Sequence, residues 1–200
     1  MLKTNKMRVN EIFYSLQGEG RNAGRAAIFV RFSGCNLHCD FCDTNHRPYK
    51  EYTEDEIMRE IAQYPAKLVV FTGGEPTLQL TETLVDKCHD MGKVVAIETN
   101  GTRRVPKNVD WVTVSPKDAF VGVAGRPHLF KADEVKVVFD GKHDCKEQAH
   151  GIAADYYYVQ PCDTGDQERN KEIIAQCVDF VENNPEWALS VQTHKIIGVR

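Results

Sequence analysis

The chain has 200 residues, a net charge of −4 and 42% hydrophobic residues, a size that fits one domain over residues 1–200 with a single core. It has no basic run or stripe, which argues against nucleic acid as the main partner, and no apolar run approaching the length of a membrane span. The opening residues MLKTNKMRVNEIF lack the apolar stretch of a secretory signal, so a cytoplasmic location and a small-molecule or protein partner are expected.

Short β-rich runs alternate with helical segments along the chain. Strands are predicted at 26–32 (AAIFVRF), 67–72 (KLVVFT), 93–99 (KVVAIET), 111–115 (WVTVS), 134–139 (EVKVVF), 156–160 (YYYVQ) and 189–194 (LSVQTH). Several are continuous apolar runs, as strands covered on both faces are. A helix is predicted over 53–63, with Thr53 and Glu56 forming a capping box. A second is predicted over 81–92, ending in Gly92 as the C′ residue. A third covers 168–184, with Ile173, Ile174, Cys177, Val178 and Val181 at helical spacing. Segment 117–130 reads as loop.

Strand–helix alternation implies a parallel α/β sheet. A closed eightfold barrel usually needs about 250 residues, so the expected fold is an abridged, open (partial) TIM-like barrel of about six parallel strands. Chemistry in such folds sits at the carboxyl ends of strands. Cys35, Gly73, Thr99, Ser115 and Gln160 all fall at or just beyond such ends and are expected at one mouth.

Of seven cysteines, three lie in the run Cys35-Asn-Leu-His-Cys39-Asp-Phe-Cys42. An odd count is a poor disulfide framework, and a tight triplet reads better as a metal site. Three thiolates can hold three irons of a 4Fe–4S cubane and leave the fourth open. S-adenosylmethionine (SAM) can chelate that iron, and an electron from the cluster then releases a 5′-deoxyadenosyl radical. Taken alone, the triplet is also compatible with structural zinc, with His38 or His46 as fourth ligand. The run Gly73-Gly74-Glu75-Pro76 follows the second strand. Its glycines let backbone approach a ligand, and Glu75 can accept from an ammonium; alone, it is also compatible with a plain turn.

The triplet and the glycine run together resemble the radical SAM superfamily, which places an aromatic residue, here Phe41, beside the adenine. Further runs are Glu11-Ile-Phe-Tyr-Ser-Leu-Gln-Gly-Glu-Gly20, Arg31, Cys42-Asp43-Thr44, Glu98-Thr99-Asn100-Gly101, Ser115-Pro116-Lys117, Gln160-Pro161 and Gln192-Thr193-His194-Lys195. With these the chain resembles the 7-carboxy-7-deazaguanine synthase family of the queuosine (7-deazapurine) pathway, a lyase family. The resemblance runs from Glu11 to Arg200 and is least conspicuous over 118–155. It implies ring contraction of 6-carboxy-5,6,7,8-tetrahydropterin to 7-carboxy-7-deazaguanine and ammonia. The adenosyl radical takes hydrogen from C6 and the hydrogen is returned, so SAM is regenerated and no protein side chain is the catalyst.

By motif match the resemblance assigns Leu16, Gln17, Gly18, Glu19, Arg31, Thr72, Glu98 and His194 to the pterin. It assigns Phe41, Gly74, Glu75, Ser115, Lys117 and Gln160 to SAM, Cys35, Cys39 and Cys42 to the cluster, and Thr44 to magnesium. It also implies that the terminal carboxylate, here that of Arg200, reaches the pterin. Homodimerisation and an electron donor such as flavodoxin or ferredoxin follow from the same resemblance. A carboxylate side chain pairs naturally with adjacent ring N–H donors, and magnesium accepts few protein ligands beside water and substrate oxygens; Asp43 can assist through water. Each assignment has a plainer reading: Gln17 and Glu19 as turn residues, Glu98 as a solvated strand end, Ser115 as a cap, Lys117 as surface charge, Thr44 as a backbone-bonding hydroxyl. Cys88 and Cys177 read as buried apolar residues, Cys145 as incidental, and Cys162 as able to approach the site. A glycyl-radical activating enzyme shares the cysteines and glycines, and a non-catalytic zinc or iron–sulfur module shares the cysteines.

Overall fold

The computed structural model describes residues 6–42, 44–149 and 151–200. The apolar runs form one nine-stranded sheet in the order β3-β1-β2-β4-β5-β6-β7-β8-β9. Its strands are β1 (Met7–Leu16), β2 (Ala26–Phe32), β3 (Lys50–Tyr52), β4 (Leu68–Gly73), β5 (Val94–Thr99), β6 (Trp111–Val114), β7 (Lys131–Phe139), β8 (Ala153–Pro161) and β9 (Trp187–Leu189). β2 and β4 to β9 pair in parallel throughout, whereas β1 runs antiparallel to both β2 and β3. The sheet does not close, and β9 is only three residues long. The expected open, partial barrel of parallel strands is therefore observed.

Period-2 alternation divides each strand between two environments. Outward residues Ile28, Val30, Phe32, Val69, Phe71, Val95 and Ile97 pack on Ile57 and Ile61 of α1 (Glu54–Ile61) and on Leu84 and Val85 of α2 (Glu82–Asp90). In the other half, Val114, Val135, Val137 and Val159 meet Ile173 and Cys177 of α5 (Gln167–Asn183). The inner face is apolar at its base, where Phe13, Ala27, Phe29, Leu68, Val70 and Ala96 cluster. Above that base the inward positions turn polar. Arg31 lies opposite Thr72, Glu98 opposite Thr113, and Thr113 opposite Glu134. Among the described residues no helix is long and apolar enough to cross a membrane.

The capping box at Thr53 and Glu56 is present, and Thr81 caps α2 through Leu84 N. On α5 the apolar stripe is narrower than its spacing implies: Ile173 and Cys177 are buried, while Ile174 and Val178 are exposed. Cys88, Cys145 and Cys177 are all buried. Segment 117–130 holds two short turns of helix, α3 (Asp118–Val121) and a 3-10 turn over Gly122–Gly125, and α4 (Cys145–Ala149) follows β7. The strand expected at 189–194 stops at Leu189, and residues Thr193–Ile197 form α6. The chain leaves the sheet because Ser190 makes its last ladder bond to Val159 O and Thr193 N turns to Gly18 O. His194 thus reaches the mouth from a helix, not from a strand end.

Candidate functional site

Two cavities open at the carboxyl ends of the parallel strands. The smaller, of about 230 Å³, is lined by all three triplet thiols together with Phe41, Gly73, Gly74, Ser115, Lys117 and Gln160. The loop after β2 turns through the Cys42 N to Cys39 O hydrogen bond of 3.1 Å. Asn36, between the first two cysteines, is held by Thr102 Oγ1 at 2.9 Å and by Asn100 Nδ2 at 3.1 Å. Burial pushes the Cys35 and Cys39 thiols above the ordinary range, with Lys117 pulling Cys39 back down. Binding of iron there must displace protons, as metal binding to thiols does. Three soft thiols, one face of glycine backbone and a ring of polar groups suit a cluster with SAM beside it.

Gly73 and Gly74 are required by backbone crowding. Gly73 has φ +127°, and a Cβ on Gly74 would strike the backbone of Gly34. The glycine turn tucks under the end of β2, with Gly74 N bonded to Phe32 O at 3.1 Å and Glu75 N to Gly34 O at 2.9 Å. Glu75 differs from the ammonium acceptor expected at this position. It is 0% exposed, and its carboxyl accepts from Thr77 N and Oγ1, Thr99 Oγ1 (2.7 Å) and Asn100 N (2.8 Å). It therefore braces the strand ends around the cavity and is not among the residues that line it. Glu75→Ala should strand four donors and lower stability by roughly 3 kcal/mol, read from denaturant midpoints; a change below about 1 kcal/mol would contradict this bracing role.

Lys117 donates to Ser115 O at 2.8 Å and to Ser115 Oγ, and burial lowers its pKa to about 8. Gln160 is fixed by Ser190 Oγ at 2.9 Å. Phe41 packs on Phe120 of α3 with ring centroids 4.5 Å apart. Cys162 is buried and lines the same cavity.

The larger cavity, about 490 Å³, gathers every residue expected at the pterin: Leu16, Gln17, Gly18, Glu19, Arg31, Thr72, Glu98, His194 and Arg200, with Thr44 at its edge. Phe13, Phe29 and Val70 form an apolar base, the two rings stacked at 4.9 Å. Arg31 Nε is held by Glu11 Oε1 at 2.9 Å, and its NH1 lies 3.4 Å from Thr44 Oγ1. The other Glu11 oxygen pairs with the Arg200 guanidinium, which lies over Phe13. Asp43 lies outside the described residues.

Glu19, Glu98 and Gln192 line both cavities and form the wall between them. Within that wall sits Lys136, which the sequence reading passes over. Its ammonium pairs with Glu19 and, at 2.9 Å, with Glu98. Burial alone would raise the Glu19 pKa; the adjacent ammonium outweighs it and holds the group at about 2. The signal for Lys136 lies in EVKVVF, where two charges occupy alternate inward positions of a central strand.

Residues 29–119 match the radical SAM superfamily. The chain is 47% identical to the 7-carboxy-7-deazaguanine synthase of Bacteroides thetaiotaomicron over 96% of this chain and 98% of the relative. It is 42% identical to that of Nitratidesulfovibrio vulgaris, with the same coverage. Among solved structures, QueE from Escherichia coli superposes with a TM-score of 0.79 and 28% identity, covering 94% of this chain and 95% of that one. The cysteine loop, the glycine turn and the near-complete coverage of these relatives agree: the chain belongs to the 7-carboxy-7-deazaguanine synthase family of radical SAM enzymes.

Proposed function

We propose that this chain converts 6-carboxy-5,6,7,8-tetrahydropterin to 7-carboxy-7-deazaguanine and ammonia, using SAM as a regenerated cofactor. The observation that carries the reading is the shared wall. A thiol-lined cavity and a polar, flat-based cavity meet at Glu19, Glu98 and Gln192, so a radical source and a heterocycle can sit as neighbours. When bound, the cluster and SAM supply a 5′-deoxyadenosyl radical for hydrogen abstraction. The protein's own residues do the rest by placement. Phe13, Phe29 and Val70 offer an apolar base, Glu19 and Glu98 accept ring N–H groups, and Arg31 and His194 face a carboxylate. A glycyl-radical activating enzyme would have to admit a peptide and has no use for this set of acceptors.

The test is anaerobic incubation with the carboxytetrahydropterin, SAM and magnesium. Product of the deazaguanine mass with far less than one SAM consumed per turnover is expected; SAM cleavage without that product would overturn the reading. Magnesium belongs to the same proposal, with Thr44 Oγ1 as its one protein ligand beside the substrate carboxylate. Thr44→Val should weaken the magnesium response and Thr44→Ser keep it, each with full iron content. An unchanged response in the valine variant would return Thr44 to a backbone-bonding role. A cytoplasmic location, a homodimer and reduction by a flavodoxin or ferredoxin complete the proposal.

A further inference from the structure

Lys136 is one of the buried charges of the barrel, 3% exposed on β7, and its ammonium pairs with two carboxylates. Each of its two carboxylate partners is bound in the same way. Glu98 Oε2 accepts from Lys136 and its Oε1 accepts from Gln17 Nε2 at 2.9 Å. Glu19 Oε2 accepts from Lys136 and its Oε1 accepts from Gln192 Nε2 at 3.0 Å. The two arms are mirror arrangements about one ammonium, and each accepting oxygen retains a second lone pair.

We propose that Lys136 is a positioning residue for the heterocyclic substrate, holding Glu19 and Glu98 together as an ionised pair so that both present acceptors to its ring N–H groups. The proposal rests on the functional reading above and names how that cavity selects its ligand. Two carboxylates crowded into a partly buried wall repel, and without a cation one of them takes up a proton. A protonated carboxyl presents an O–H donor toward the N–H donors of a pterin-like ring, a mismatch worth far more than a lost contact. The shared ammonium removes that conflict while leaving the wall with net charge −1, suited to a donor-rich ligand.

The other charged groups near the pair are Glu134, His194 and Lys117. Glu134, two residues before Lys136, is buried, accepts from Arg21 N at 2.9 Å and is pushed up to about 7 by burial. It protonates more readily than Glu19. His194 faces Glu19 from α6, and its charge lowers the Glu19 pKa. Lys117 stands across the smaller cavity. Attraction to Glu19 and Glu98 holds the Lys136 ammonium well above the ordinary lysine range despite its burial, so it acts as a fixed charge and not as a proton donor.

The experiment measures substrate affinity by anaerobic calorimetry on cluster-loaded enzyme with SAM present, between about pH 5.5 and 8.5. Wild type should bind with little pH dependence from Glu19, because the paired Lys136 ammonium holds that carboxyl at about 2. Lys136→Met should bind on the order of a hundredfold more weakly near neutral pH. Its affinity should fall further as pH drops, because the higher pKa of the uncompensated pair is now raised and the ionised form is lost on the acid side. Lys136→Arg keeps the charge and should return to within about tenfold of wild type with the wild-type profile. Should the methionine variant not fold, the arginine variant decides: an arginine variant with an acid limb absent from wild type overturns the proposal. A folded methionine variant that binds like wild type, or binds weakly with an unshifted profile, overturns it as well. Failure of wild type to bind the carboxytetrahydropterin at all would instead remove the proposed function.

Discussion

Replacing Cys35, Cys39 or Cys42 with alanine is expected to abolish SAM cleavage and bleach the broad absorption near roughly 400 nm of the reconstituted protein, whereas Cys88→Ala should leave both intact. The contrast is between thiols that share one cavity wall and a thiol sealed in the helix-covered core. Cys88 is 0% exposed, lies 3.7 Å from Met58 Sδ, and burial pushes its pKa up to about 12. Its loss should cost only about 1 kcal/mol of stability. Iron content, absorption and 5′-deoxyadenosine release measured on the four variants decide the matter. A triplet variant with full iron and full turnover would refute the ligand assignment.

Gly18→Ala is expected to cost on the order of a hundredfold in turnover with little change in iron content or SAM binding, as displacement of a substrate-facing group by about 1 Å does. A Cβ on Gly18 would strike His194 Nδ1, and both residues line the larger cavity. The neighbouring bond from Thr193 N to Gly18 O, 3.0 Å, leaves the helix no room to retreat while that bond holds. A double-mutant cycle tests the cause. In a His194→Ala background the same alanine should cost much less, because the contacts to ring atoms Nδ1 and Cγ are gone and only the 2.9 Å approach to Cβ remains. Full additivity of the two losses would show that Gly18 acts in some other way.

The parts legible in sequence were those whose physics is local. The cysteine loop is a run of eight residues, the glycine turn a run of four, and the central strands announce themselves as unbroken apolar stretches. β1 escaped for a specific reason. A register shift between Val9 and Glu11 reverses the phase of alternation, so Met7, Val9 and Ile12 face the helices while Phe13 faces inward, and no single period-2 pattern fits the strand. The stretch LSVQTH alternates as a strand does, yet its fate depends on Gly18, Glu19 and Gly20, some 170 residues away along the chain. Lys136 was hidden by the same dependence on distance. A lysine in an apolar strand acquires meaning only once Glu19 and Glu98 are known to converge on it. Glu75 was assigned a ligand-facing role because its four donors come from residues whose positions only the folded strand ends define.

The way the open barrel is drawn shut has a consequence for how the site breathes. Between the glutamine–glycine loop after β1 and the segment after β9 there is no strand ladder. The join includes Thr193 N to Gly18 O (3.0 Å), Gly20 N to Ser190 Oγ (3.0 Å), Gln192 to Glu19 (3.0 Å), Ser15 Oγ to Arg200 O (2.5 Å) and the largely exposed Arg200–Glu11 ion pair. Each such bond is worth about 1 kcal/mol net, whereas Arg31, Thr72 and Glu98 sit on strands tied to neighbours along their length. Local opening is therefore cheapest at this seam. It would swing Gln192 and His194 off the larger cavity and leave the opposite wall in register. Because Gln192 also lines the cavity that holds the three thiols, the same opening would uncover both sides of the wall at once, so a closed seam shields the two cavities together.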